Sequence, residues 1–171
     1  MDTRAPLAGW RLVALGDPDH LDVVDAEGER RATVVGLKHP VFLRGRQVLP
    51  VHLPDGRQTT LTNGTSVWGT RRHRTRGLLP LDGVSYVLQH RSWRKARLLR
   101  DGHCLAVLRR DDDKPLRKKL AETWKGATPV PEVELRATLS GDDLLALALT
   151  GLVLRPGREN LPSKVLSNVT F

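Results

Sequence analysis

Isoleucine is absent from this chain, and cysteine, methionine and tyrosine occur once each. With Cys104 alone, no intramolecular disulfide can form, and a cysteine-based metal site would need ligands of other kinds. Aromatic residues are scarce as well. Four Trp, two Phe and one Tyr leave a core that must be built mostly from Leu, Val and Ala. Arg outnumbers Lys three to one, a bias that with the missing Ile suits a GC-rich, bacterial genome and weakens the inference that every Arg was selected for binding. Long apolar runs are also missing. The sustained one, Leu144–Leu154, covers about 11 residues, where a membrane-spanning helix needs about 20. The opening MDTRAPLAGWRLVALGDPDH holds no apolar stretch long enough for a signal peptide. The expected location is cytoplasmic, with peripheral attachment at a membrane as an option.

Catalytic signatures are lacking too. The sequence has no G-x-S-x-G, no Walker loop, no G-x-G-x-x-G after a strand and no zincin helix. His20, His39, His52, His73, His90 and His103 have no paired metal-ligand spacing. The run Asp111–Asp113 fits helix capping better than a divalent cation, because no EF-hand spacing or glycine accompanies it. The expectation is a non-enzymatic protein without cofactor or metal.

What is present is a globular composition, 39% apolar and 27% charged over 171 residues, enough for one domain with a real core. The net charge of +9 is unevenly placed. Residues 1–68 balance eight basic against eight acidic side chains, residues 69–119 hold fifteen against five, and residues 120–171 come to −1. A field concentrated in the middle third favours an anionic partner.

Short hairpins dominate the pattern. LDVVDAEGERRATVV (Leu21–Val35), LPVHLPDGRQTTLT (Leu49–Thr62) and ARLLRDGHCLAVLRR (Ala96–Arg110) each run from a strand through an Asp-containing turn, ending in Gly, to a second strand. Gly28, Gly56 and Gly102 supply the positive φ such turns demand. Further strands are expected at Trp10–Leu15, Val41–Leu49, Val84–Ser92 and Pro131–Leu139. In the last, Val133, Leu135 and Ala137 should face inward. Two segments read as helices. One is amphipathic, DDDKPLRKKLAETWKG, with Leu116, Leu120 and Trp124 on a single stripe. The other is GDDLLALALTGLVLRPG, capped by Ser140 and apolar on every side. A helix with no polar face must be surrounded by protein. A chain made of strands surrounds it most economically by curling its sheet into a barrel around it, which also removes the edges. A helix clamped between two sheets or used to dimerise is the alternative.

The expected fold is therefore mainly β: a closed antiparallel barrel of about 10–12 strands enclosing an apolar late helix, plus one short amphipathic helix. The expected organisation is an N-terminal arm at 1–8, a barrel domain at 9–155 with its central helix at 142–154, and a tail at 156–171. The hairpins VVDAEGERRATV and LLRDGHCLAVLR, with the late helix DDLLALALTGLVL, resemble the tubby-like fold shared by phospholipid scramblases and LURP-one-related proteins. The resemblance is one of architecture over roughly residues 9–155, without a signature motif. It implies ligand binding without catalysis, at phosphoinositide headgroups or at membranes. Two features depart from it. The helix is followed by RENLPSKVLSNVTF, and the basic segment at 113–125 reads as an insertion between strands.

Three basic segments are candidate binding elements. GTRRHRTRG carries Arg71, Arg72, Arg74 and Arg76, whose guanidinium forks suit phosphates. RSWRKARLLR interleaves Trp93 with Arg91, Arg94, Lys95 and Arg97, a pattern suited to bases or to a membrane interface. The 113–125 helix presents Arg117, Lys118 and Trp124 to a membrane or partner. Each competes with a plainer reading as solvated loop or core packing. The functional expectation is a binding or adaptor barrel whose basic middle docks onto acidic lipid headgroups or an acidic protein surface. The alternative is a structural subunit of a larger bacterial assembly, tethered to its neighbour through residues 158–171. Nucleic-acid binding comes third.

Overall fold

The computed structural model describes residues 5–14, 20–36, 47–63, 76–92, 94–110 and 130–154. Ten strands form one antiparallel sheet: β1 (Arg11–Ala14), β2 (His20–Val24), β3 (Arg30–Val35), β4 (Gln47–His52), β5 (Gln58–Asn63), β6 (Arg76–Leu81), β7 (Val84–His90), β8 (Lys95–Arg100), β9 (His103–Arg109) and β10 (Glu132–Leu135). Their spatial order is their sequence order, so the sheet is a meander. It is followed by α1 (Gly141–Ala148), which continues as a π-helical turn over Leu149–Leu154.

Local chemistry sets the hairpins. Asp101 and Gly102 both take positive φ, 46° and 86°, as a two-residue turn of the hairpin-favoured hand requires. Asp82 and Gly83 repeat this at 48° and 78°, forming a further Asp-Gly hairpin beyond the three expected from sequence. The turn after β2 is closed differently: the Asp25 carboxylate accepts from the Glu29 amide at 2.8 Å while the Gly28 amide donates to the Asp25 carbonyl. Alternation then sends one face of each strand inward. On β7, Tyr86, Leu88 and His90 are buried, as the sequence pattern anticipates. On β6, Gly77, Leu79 and Leu81 are buried between exposed neighbours.

The last strand differs from its expected length. β10 ends at Leu135, which is 41% exposed, and Ala137 is exposed rather than inward-facing. The Arg136 amide donates to the Leu105 carbonyl at 2.7 Å, the last backbone tie before the chain turns toward the helix.

The helix is the centre of the core. Leu145 through Val153 are all buried, and Ala146, Leu147, Ala148, Leu149 and Leu152 have no exposure at all. The π-helical turn touches β1, β5 and β6, while Gly151 sits against Leu108 of β9. Strands from one margin, the middle and near the other margin thus meet the same helix, so the sheet curls around it. Closure by a strand ladder is not part of the described structure: β1 and β10 each pair with one strand only among the described residues. The 3-10 turn Ala5–Leu7, just ahead of β1, packs on β10 and buries Leu7 fully.

The N-terminus of α1 is pinned to the sheet. Ser140 and Asp143 form a reciprocal capping box, and Asp143 also accepts from Tyr86 Oη at 2.8 Å and Arg100 NH1 at 2.8 Å. Asp143 is completely buried. Burial alone would raise its pKa, but the Ser140 amide, the Tyr86 hydroxyl and the Arg100 guanidinium outweigh this and hold it below the usual carboxylate value. The same arrangement raises Tyr86, through burial first and the Asp143 hydrogen bond second.

Candidate functional site

A meander of alternating hairpins sorts its connections by end. The turns at 25–29, 53–57, 82–83 and 101–102 all lie at one end of the sheet. This end is acidic in character: Asp55 and Asp82 both pair with Arg57, Asp55 at 2.7 Å, and the Asp101 carboxylate accepts from the Ser85 amide at 3.0 Å. The Arg57 and backbone contacts at Asp55 keep that carboxylate below its usual pKa. The first turn of α1, with Asp142 and Asp143, lies here too, beside Tyr86 and Arg100.

Among the described residues, the exposed charged side chains at the opposite end are basic. The connection between β7 and β8 is tied by Ser92, whose hydroxyl accepts from the Arg94 amide at 3.2 Å and the Lys95 amide at 3.1 Å. The Arg91 and Ser92 amides both donate to the Lys95 carbonyl. Arg91, Arg94, Lys95 and Arg97 are all exposed around this turn. Register brings Arg76 to the same place: Arg76 pairs with Gln89, and Gln89 pairs with Arg97. The two arginines thus flank one glutamine on the outer face, their backbones roughly 10 Å apart from two strand spacings. Lys95 stands opposite Arg109, a like-charge pairing that opposes sheet stability. Arg109 is partly compensated by Glu134 at 3.3 Å, and Glu134 in turn holds Arg136 at 2.7 Å. Among the described residues Arg76, Lys95 and Arg97 have no carboxylate partner.

The strands β6 to β9 contain no acidic residue; the acids of residues 76–110 are Asp82 and Asp101, in the turns at the far end. Among the described residues the two ends of the sheet thus carry opposite charge. Arg76, Arg91, Arg94, Lys95 and Arg97, expected from sequence as anion-binding residues, are brought to one exposed surface. Arg71, Arg72, Arg74, Arg117, Lys118 and Trp124 lie outside the described residues, as does the expected tether at 158–171.

Other groups offer less chemistry. Cys104 is half-buried with its thiol directed at the Ala106 carbonyl, 3.7 Å away. A cleft of about 300 Å³ opens where β5 and β6 diverge, lined by Arg57, Thr59, Pro80 and Asp82 among others. Its guanidinium is already occupied by two carboxylates. Among the described residues no group of His, Cys, Asp and Glu side chains is placed to hold a metal ion. No described helix is long and apolar enough to cross a membrane.

Sequence reasoning missed an outer apolar row. Val48, Thr62, Leu78, Val87, Leu99 and Cys104 are successive partners across β4 to β9. The row faces outward, with Val48 63% and Leu78 43% exposed. Its local signal is the doublets Leu78-Leu79, Val87-Leu88 and Leu98-Leu99, where alternation should place a polar residue on the outer face. The chain has no match among family models, curated proteins or solved structures.

Proposed function

We propose that the protein is a non-enzymatic binding module whose basic end docks onto an anionic partner, an acidic lipid surface or an acidic protein. The carrying observation is the segregation of charge: strands β6 to β9 are free of acidic side chains, and Arg76, Lys95 and Arg97 stand exposed without a carboxylate partner among the described residues. Lys95 faces Arg109 across the ladder, so a bound anion would relieve repulsion that the fold otherwise carries. The same reading takes the sheet as a barrel closed around its helix. Support for closure is the 3-10 turn just ahead of β1, which packs on β10 and buries Leu7 fully.

The test is charge reversal at Arg76, Lys95 and Arg97, with binding of the full chain to phosphatidylglycerol vesicles and to polyglutamate measured at stepped salt. Wild type should bind at least one of the two and weaken as salt rises. The triple variant should lose that binding and melt within a few degrees of wild type, since all three side chains are exposed. Unchanged binding would show that these side chains are only solvated.

A further inference from the structure

We propose that the outer face of β6 to β9 is a docking strip for an extended acidic polypeptide segment carrying apolar residues at intervals. The proposal rests on the anionic-partner reading and specifies the partner. Two neighbouring rows carry it. The first is the apolar row from Val48 to Cys104, set by the registers of five consecutive strand pairs. The second lies one outward position away along each strand: Arg76, Gln89, Arg97 and Val107 are again successive partners. An apolar strip and a strip carrying two guanidiniums, Arg76 and Arg97, therefore run side by side across the strands. A partner that fits must bring apolar side chains to one and carboxylates to the other.

A polypeptide fits this better than a bilayer for three reasons. The sheet curls around α1, so the outer face is convex and a row across six strands follows the curve. Five strand spacings make about 24 Å of arc. A flat membrane would touch the middle of that arc and leave its ends in water, whereas an extended chain of about seven residues spans it and bends with it. Second, no Tyr or Trp stands on this face among the described residues, since Trp10 and Tyr86 are buried, and those side chains are the usual anchors at a bilayer interface. Third, the row holds partly exposed Val, Leu, Thr and Cys of modest size flanked by Arg, a mixture of apolar contact and charge-assisted hydrogen bonding that suits side chains of a peptide.

The test uses the full chain as bait for a displayed library of random 16-residue peptides. Enriched peptides should combine Asp or Glu with Leu, Val or Phe. A labelled copy of the most enriched peptide should bind wild type, and bind about tenfold more weakly to each of two variants, Leu78→Ser with Leu99→Ser, and Arg97→Glu. Both variants change outward-facing side chains, and thermal melting confirms that they fold; Val48→Ser, at the most exposed position of the row, serves if the double variant does not. Bound peptide should also slow maleimide labelling of Cys104, which sits at the end of the row. No enrichment of acidic and apolar peptides, or equal binding to the row variants, overturns the proposal. Loss of phosphatidylglycerol vesicle binding in the row variants, with no peptide enriched, assigns the face to lipid: the anionic-partner reading then stands and this inference fails.

Discussion

Tyr86, the third residue of β7, donates to Asp143 in the first turn of α1 across 2.8 Å, joining residues 57 apart in sequence. The phenol, the Arg100 guanidinium and the Ser140 amide converge on one fully buried carboxylate. This fixes where the helix enters the sheet. It also makes a buried charge depend on three partners at once.

Removing that charge leaves the partners without an acceptor. Asp143→Ala should destabilise the protein by about 2–4 kcal/mol, and Tyr86→Phe by about 1 kcal/mol. Urea unfolding of the two variants and their double mutant measures both, and the double mutant should fall short of additivity because the pair shares a bond.

Acid should act on the same residue. Asp143 has a folded pKa below its ordinary 3.8, so its contribution to stability is full above that value and is lost as pH falls through the folded pKa. In Asp143→Asn the stability curve below pH 4 should be flatter than in wild type, as followed by urea titration at stepped pH.

A second titration lies higher. Burial pushes His90 from 6.5 down to about 4, so the folded state favours the neutral ring. Its contribution is therefore full above pH 6.5 and is lost as pH falls toward 4, a change on the order of 3 kcal/mol. His90→Gln should remove that slope, whatever it does to stability at neutral pH.

The central helix tolerates neither charge nor bulk. Leu147 has no exposure, and Leu147→Asp should abolish folding, seen as loss of soluble protein or of a cooperative melt. A Cβ at Gly151 would lie 3.0 Å from Leu108 Cδ2 and 3.3 Å from Leu7 Cδ1. Gly151→Leu should cost about 1–3 kcal/mol by overpacking, lowering the melting temperature by several degrees.

The hairpins and the enclosed helix were legible because each rests on a local rule. An Asp-Gly pair supplies the φ that a two-residue turn needs, and a helix with no polar face has nowhere to go but inside. Asp82-Gly83 obeys the same rule but follows a dense arginine run, which reads as a loop rather than the approach to a strand. The inward assignment of Ala137 failed because alternation holds only while the ladder lasts, and the ladder stops at Leu135, which as the last residue of the terminal strand is itself 41% exposed. The Asp143 network and the apolar outer row were beyond a local reading. In sequence Asp143 is an ordinary capping residue, and Tyr86 and Arg100 reach it only through the fold. The row from Val48 to Cys104 exists only because five registers line up.

The order of elements along the chain also governs how the protein must be made. A ribosome releases the ten described strands before it releases the helix that fills them. Each hairpin can pair with its predecessor as it emerges, since every strand neighbour is adjacent in sequence. The inner faces of those strands, rich in Leu and Val, then wait without a filler until Leu145–Val153 arrives. A nascent chain that has released its strands while Leu145–Val153 is still inside the exit tunnel would be a curled apolar trough without its plug, and such a species is what chaperones hold. The arrival of this helix is thus the step that commits the whole sheet to its final shape.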